Sequence, residues 1–326
     1  MKTIILDDWE KYMLNHPSIT ELKKISEVEV FTDKPSFNNL IGRLKEADII
    51  IPIRERTKID KKLIDRMPNL KMIAQTGTGL AHIDIDATTK ANILIATTPG
   101  GSTKSVTEIT FSFLLNLIKN VHHLDYSMKN NLWPETIGTN LHGKTLGIIG
   151  LGKIGGSVAN IAKTFGMNVI AWGPTLSEER ALREGVKYTT LHNLLETADA
   201  VTLHVRLVPD TIHLLRSEHF NLMKNSAVLI NTSRGKVIDE KALIEAIQKG
   251  NIAGAGLDVF YEEPLPKNHP LRDLNNVLLT PHVGWKTQET FNNFLNGSIK
   301  NIKSFFIENN PQNIINKEEL NHKCNK

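Results

Sequence analysis

The sequence predicts an α/β protein of two doubly wound parallel-sheet domains, one flavodoxin-like and one Rossmann-type. Three observations predict it. Short apolar strands alternate with helix-period segments along most of the chain, the βαβ succession that builds parallel sheets. The stretch Lys144-Thr-Leu-Gly-Ile-Ile-Gly-Leu-Gly-Lys-Ile-Gly155 sets a strand, a glycine-rich turn and a helix end to end. The punctuated link Thr98-Pro-Gly-Gly-Ser-Thr103 falls between two such successions and reads as a hinge.

In the first succession, strands are expected at 3–6, 28–31, 48–53, 72–75 and 93–96, with helices at 39–45 and 61–67. Between the last two strands lies Thr76-Gly-Thr-Gly-Leu-Ala-His-Ile-Asp84, a glycine turn at the carboxyl end of a strand. Open α/β sheets bind ligands there. Gly77 and Gly79 expose backbone N–H groups that could hold a carboxylate, and a plain strand-to-helix turn is an equal reading. After the hinge, Val106, Ile109, Phe113, Leu117 and Ile118 recur at helical spacing, with Thr103 or Ser105 available as cap. This helix is expected to run past Val121 toward Met128, until Trp133-Pro134 ends the pattern. Its apolar load exceeds one narrow stripe, so part of it is expected to pack on another subunit or elsewhere in the chain.

The alternation resumes at Leu146 and continues with strands at 168–172, 188, 200–204, 227–231, 254–259 and 277–279, a dinucleotide-binding type of sheet. Beyond Pro281-His-Val-Gly284 only a helix, 287–306, and a polar tail remain. That is too little for a domain, so the segment is expected to return to the first one. The expected domains are therefore 1–100 with 286–326, and 101–285.

The central turn carries the clearest chemistry. Gly150 and Gly152 let the chain turn sharply and bring its backbone against a ligand, and Gly155 lets helix and strand pack closely. The first N–H groups of the helix, at Lys153 and Ile154, then point at whatever lies over the turn. A dinucleotide's pyrophosphate suits that position.

Composition narrows the class. The 326 residues are 40% hydrophobic and 23% charged, as in ordinary globular proteins. A net charge of +4 without a dense basic run mildly favours anionic small molecules and gives no reason to invoke nucleic acid. A single cysteine, Cys324, leaves no intrachain disulfide and no cysteine-based metal cluster, and no metal site is expected. Asp7 and Asp8 follow a very short apolar run, unlike a signal peptide, and no run of ~18 apolar residues could span a membrane. The expectation is a cytoplasmic protein.

Three residues then stand just after strands of the second succession: Arg234, Glu263 and His282. Strand ends on one edge of a parallel sheet converge on the cofactor crevice. Arginine supplies a planar fork for a carboxylate and an adjacent carbonyl. A histidine beside a glutamate gains basicity, because the anion favours the imidazolium. Singly each reads as a surface charge or a cap; together, after a nucleotide motif, they favour catalysis of alcohol–ketone interconversion.

With these residues in view the chain resembles the D-isomer-specific 2-hydroxyacid dehydrogenases, which include D-3-phosphoglycerate dehydrogenase. The resemblance runs from about Ile49 to Thr287. It is carried by Gly77-Thr-Gly-Leu-Ala-His-Ile-Asp84, Gly150-Leu-Gly-Lys-Ile-Gly155, Asn231-Thr-Ser-Arg-Gly-Lys-Val-Ile-Asp239, Gly256-Leu-Asp-Val-Phe-Tyr-Glu-Glu-Pro264 and Leu279-Thr-Pro-His-Val-Gly284. The resemblance implies that Arg234 orients substrate, Glu263 supports the histidine and His282 is the general acid/base. It implies cofactor contacts from Thr232, Ser233, Arg234, Asp258, His282 and Gly284, and a substrate loop of Gly77, Thr78 and Gly79. A homodimer built partly through the helix after the hinge is implied as well.

Two departures bear on specificity. Where many members carry an acid after the second strand of the cofactor domain, this chain has Ala171-Trp-Gly-Pro174. Gly173 offers no side chain to a ribose 2′-OH, so NAD is not positively selected over NADP. Arg180 and Arg183 lie downstream and could approach a 2′-phosphate, with helix surface charge the favoured reading. Trp285 stands where a small residue is usual and is expected to narrow the site or rest against the cofactor. Arg54 is a candidate for charge at the substrate mouth. The expected activity is NAD(P)-dependent interconversion of a small D-2-hydroxy acid and its 2-keto acid. The competing expectation is a nucleotide-sensing, corepressor-like binding protein with little turnover.

Overall fold

In a computed structural model the described residues are 1–316. Cys324, and with it the sequence argument about the tail, lies outside them. The chain divides into two compact units, Met1–Ser102 with the residues from Lys286 on, and Thr103–Trp285.

The first unit is a five-stranded parallel sheet: β1 (Lys2–Leu6), β2 (Glu27–Val30), β3 (Ile49–Pro52), β4 (Met72–Gln75) and β5 (Leu94–Thr97). The spatial order β2-β1-β3-β4-β5 is the flavodoxin-like winding that the sequence predicts. Strands β3 and β4 are buried at every position, as a sheet covered on both faces requires. One face packs Ile4, Leu6, Ile50, Ile73 and Ile95 with Leu40, Leu44 and Leu63 from the intervening helices and with Met67 just beyond one of them. The returning helix Gln288–Phe306 belongs to this unit. Its Ser298 hydroxyl donates to the Ala74 carbonyl at 3.4 Å and its Asn301 amide to the Thr97 carbonyl at 2.9 Å. Beyond it, Asn316 accepts from the Ile95 N–H and donates to the Ile93 carbonyl, which holds the segment along β5.

The second unit holds seven parallel strands: β6 (Thr145–Ile149), β7 (Asn168–Trp172), β8 (Lys187–Tyr188), β9 (Ala200–Leu203), β10 (Val228–Asn231), β11 (Gly254–Leu257) and β12 (Val277–Leu279). Their order, β12-β11-β10-β9-β6-β7-β8, reverses at β6 and β9, the topological switch point of the Rossmann winding.

Local chemistry explains where helices start and stop. Ser36, Asp60, Asp84, Ser177, Thr190, Asp239 and Thr287 each accept an N–H from the first turn of the helix they cap. The cap at Ser36 starts the helix Phe37–Leu44 before the expected 39, and the helix Lys61–Ile64 ends before the expected 67. The helix after the hinge differs more. It spans Thr103–Lys119, breaks at Asn120 and restarts as Val121–Lys129. Asn120 sits at φ 57°, a left-handed conformation that asparagine tolerates and that stops an α-helix. The Asn116 side chain accepts from the His122 N–H and so serves a donor the broken helix leaves without a carbonyl.

Candidate active site

The cofactor cradle is built where β6 gives way to the helix Lys153–Thr164. Gly150 has φ 102°, and its N–H donates to the Trp172 carbonyl at 2.7 Å. A methyl group there would stand 2.8 Å from the His204 carbonyl, and one on Gly155 would strike the Gly150 carbonyl. Both glycines are therefore demanded by close backbone packing. Gly152 differs: a methyl on it would meet nothing within 4 Å, so the space over the turn is open. The first intrahelical bond runs from Gly156 N–H to the Gly152 carbonyl. The N–H groups of Lys153 and Ile154 precede it and face that space, with the Lys153 side chain exposed. This cradle fits the pyrophosphate of a dinucleotide.

The register of β10, β11 and β12 brings the catalytic candidates together. Asn231 pairs with Leu257, and Leu257 with Leu279, so the loops bearing Arg234, Glu263 and His282 leave the sheet at one level. His282 Nδ1 and Glu263 Oε2 are 2.7 Å apart. Burial pushes the Glu263 carboxyl up. The His282 hydrogen bond and charge, the Phe260 N–H and the Arg234 guanidinium outweigh it, and the group lies below its ordinary value. An ionised carboxylate only accepts, so Nδ1 donates the proton and Nε2 is left for a substrate. Among the described residues Nε2 has no hydrogen-bond partner. His282 itself sits at φ 53°, a strained conformation for a non-glycine residue, held by the loop around it.

Asp258 holds that loop. Its carboxylate accepts from the Thr280 hydroxyl at 2.5 Å and from the Val283 and Gly284 N–H groups at 2.8 Å each. A methyl on Gly284 would lie 2.8 Å from Asp258 Oδ2, so the backbone approaches as closely as glycine permits. Sequence reasoning assigns Asp258 a cofactor contact and misses this anchoring, which depends on a partner 26 residues away. Trp285 comes next in the chain as a buried side chain. Asn231 shapes the neighbouring loop by accepting from the Ser233 N–H and hydroxyl and donating to the Arg234 carbonyl. That Asx-turn is a local signal readable from Asn-x-Ser. Ser233 is thereby buried, while Thr232 meets Thr110 hydroxyl to hydroxyl at 3.3 Å. Arg234 Nη1 donates to the Ser233 carbonyl, which aims the fork.

In the first unit, the Gly77 N–H that the sequence offers to a carboxylate donates instead to Thr98 Oγ1 at 2.6 Å. Among the described residues, the Thr78 and Gly79 N–H groups make no hydrogen bond, so they remain as donors in this turn. Arg54, at φ 57°, has its N–H bonded to Thr76 Oγ1, and its guanidinium lies against Gly77 and over the Phe294 ring. Among the described residues no group of three or more His, Cys, Asp or Glu could hold a metal ion.

Sheet order and glycine cradle put the chain in the class of dinucleotide-binding α/β proteins. Residues 111–284 match the family model described as D-isomer specific 2-hydroxyacid dehydrogenase, NAD binding domain, and the chain belongs to that oxidoreductase family. It is 40% identical over 279 residues to a D-3-phosphoglycerate dehydrogenase of Methanocaldococcus jannaschii, covering 85% of this chain and 53% of that protein. The chain thus spans about half the length of that relative. It is 37% identical over 313 residues to a glyoxylate reductase of Thermococcus litoralis, covering 93% and 94% of the two chains. Among solved structures it is similar to an acyclic imino acid reductase in complex with NADPH and D-Arg, with a TM-score of 0.86 and 31% identity. That match covers 97% of this chain and 100% of the other.

Proposed function

We propose that this protein is an NAD(P)-dependent oxidoreductase interconverting a small D-2-hydroxy acid and its 2-keto acid. The observation that carries the reading is the His282–Glu263 pair at 2.7 Å, beside Arg234 and beyond the strand ends of the unit that holds the glycine cradle. When bound, a reduced nicotinamide would supply the hydride to the substrate's C2. The chain's own residues manage charge and proton. The Arg234 fork holds the carboxylate and polarises the carbonyl, through hydrogen bonds that strengthen as negative charge grows on oxygen. His282 Nε2 donates the proton to that oxygen, and Glu263 keeps the ring in the right tautomer and orientation. Gly150, Gly152, Lys153, Ile154 and Gly155 take the pyrophosphate, with Thr232, Ser233, Gly284 and Trp285 lining its nicotinamide end. Thr78, Gly79 and Arg54 are proposed to bind substrate.

The molecule is also proposed to be a homodimer. Tyr126, Met128, Leu132, Trp133 and Ile137 are all exposed in and after the helix Val121–Lys129, more apolar surface than one short segment leaves to water without a partner. No described helix is long and apolar enough to cross a membrane. A cytoplasmic location is proposed. The test is a panel of small 2-keto acids assayed with NADH and NADPH. Negligible reduction of every one by folded protein shown to bind the cofactor would sink the dehydrogenase reading and leave a binding protein.

A further inference from the structure

We propose that Glu240 and His269 are positioning residues for the proposed reaction. They hold the peptide between Phe260 and Tyr261, and through it they set the Glu263 carboxylate on His282. The proposal rests on the proposed function for the reaction that is served. Glu263 divides its two oxygens. Oε2 meets His282 Nδ1 at 2.7 Å, and Oε1 accepts from the Phe260 N–H of its own loop at 3.0 Å. Where Oε2 stands therefore depends on where the backbone of Phe260 stands. That backbone leads into the exposed stretch Tyr261 to Pro264, beyond the end of β11. An exposed loop moves unless its backbone is tied to a rigid element.

Two groups from the segment after Arg234 make the tie. Gly235 packs against the Phe260–Tyr261 peptide: a methyl there would collide with the Phe260 carbonyl and lie 2.5 Å from the Tyr261 nitrogen. The N–H of the same peptide, that of Tyr261, donates to Glu240 Oε2 at 3.4 Å. Glu240 opens the helix Glu240–Gln248, whose Asp239 cap fixes its backbone. A glutamate side chain keeps several rotatable bonds, so a fixed backbone does not aim its carboxylate. His269 aims it. Its Nε2 lies 3.0 Å from Glu240 Oε1, and its Nδ1 accepts from the Leu271 N–H at 3.3 Å. An accepting Nδ1 leaves the proton of the neutral ring on Nε2, where it donates to the carboxylate. Arg272 seats His269 in turn, by donating to the Leu265 and Pro266 carbonyls at 2.9 Å each and closing the 265–272 turn. This is not a solvated surface pair of little worth. The His269 and Glu240 side chains are 15% and 23% exposed, while Lys267 and Asn268 beside them are open to water. Leu271, His269, Glu240, residue 260, Glu263 and His282 are thereby linked in one run.

The test reads ring geometry apart from turnover. In whole protein isotope-labelled at its histidine ring nitrogens, long-range proton–nitrogen correlation spectra report the tautomer of His282, assigned by its loss in His282→Gln. The parent is expected in the Nδ1–H form. Glu240→Ala should move the ring toward the Nε2–H form that an unpartnered imidazole prefers. With a keto acid that the parent reduces, Glu240→Ala should lower kcat about 10–100-fold, the cost of a misplaced reacting group, with KM for keto acid and dinucleotide within ~3-fold. His269→Ala should act in the same direction, and His269→Gln, which returns an N–H donor near the Nε2 position, should recover most of the loss. Asp239→Ala removes the cap of the same helix, so it should lower the melting temperature and leave tautomer and kcat as in the parent. Glu240→Ala with the parent's tautomer and kcat, or Asp239→Ala with the same losses as Glu240→Ala, would overturn the positioning role and leave the proposed function standing. A parent that reduces no keto acid would end the proposed function instead, and the tautomer alone would decide whether Glu240 holds Glu263 on His282. Should Glu240→Ala not fold, His269→Ala against His269→Gln decides, and equal effects of the two overturn the proposal.

Discussion

In the first unit the glycine turn after β4 closes on itself. The Gly77 N–H goes to Thr98, the Thr98 N–H returns to the Gly77 carbonyl, and the Arg54 side chain lies against the glycine. No helix begins there until Asp84 caps one at Ile85. In the second unit the turn after β6 opens. Its middle glycine faces empty space, and a helix starts at once with its first N–H groups aimed outward. Both turns are glycine-x-glycine at the carboxyl end of a buried parallel strand. The difference lies just past the second glycine. An immediate helix supplies a row of free donors and the positive end of a dipole, which suits a diffuse dianion. A loop supplies one or two isolated donors, which suits a single carboxylate.

The largest expected effect tests whether the open side carries the chemistry. His282→Gln should leave cofactor affinity near the parent's while turnover falls by roughly 10²–10⁴, the usual worth of general acid–base catalysis. A loss below about tenfold in steady-state rate would take the proton step away from His282.

The glycines of the open turn should separate stability from binding. Gly150→Ala combines a positive φ with a collision against the His204 backbone, which cannot yield, so about 2 kcal/mol or more should be lost in denaturant unfolding. Gly152→Ala meets nothing, so its unfolding midpoint should not move while dinucleotide affinity drops by at least ~10-fold. The reverse pattern would mean that Gly152 is structural and the space above it is not the pyrophosphate's.

On the closed side, Thr98→Val leaves the buried Gly77 N–H without its acceptor. A cost of about 1–3 kcal/mol is expected in the same unfolding measurement. A neutral result would show that another acceptor takes over and that the turn is not closed by Thr98.

The smallest effect compares two histidines, one in each unit. Burial pushes His82 and His204 each down to about 4. Among the described residues neither His82 ring nitrogen nor His204 Nε2 has a hydrogen-bond partner, although His204 keeps some exposed surface elsewhere. The unfolded chain takes up these protons first. Stability is therefore fully present above about pH 6.5 and falls as the pH drops toward 4. Thermal melts between pH 7 and 4 should show the decline, and His204→Gln should flatten part of it. A slope unchanged in that variant would assign the acid sensitivity elsewhere.

What the sequence by itself determined is periodic or local. Alternating apolar strands and helix-period segments carry both windings, and Gly150-x-Gly152-x-x-Gly155 carries the cradle, because each depends on neighbours within a few residues. Arg234, Glu263 and His282 could be proposed because strand ends of a parallel sheet share an edge. Tertiary structure decided which groups meet. Glu263 reaches His282 because β10, β11 and β12 stand in one register, and Asp258 accepts from the Thr280 hydroxyl and the Val283 and Gly284 N–H groups. Thr98 claims Gly77, and Arg180 bends onto Leu151, because loops distant in sequence end beside each other on adjacent strands. The break at Asn120 belongs to the same class, since helical spacing alone runs straight through it. Local propensity acts over a turn or a strand. Hydrogen bonds between loops depend on sheet register, which is set by packing across the whole core.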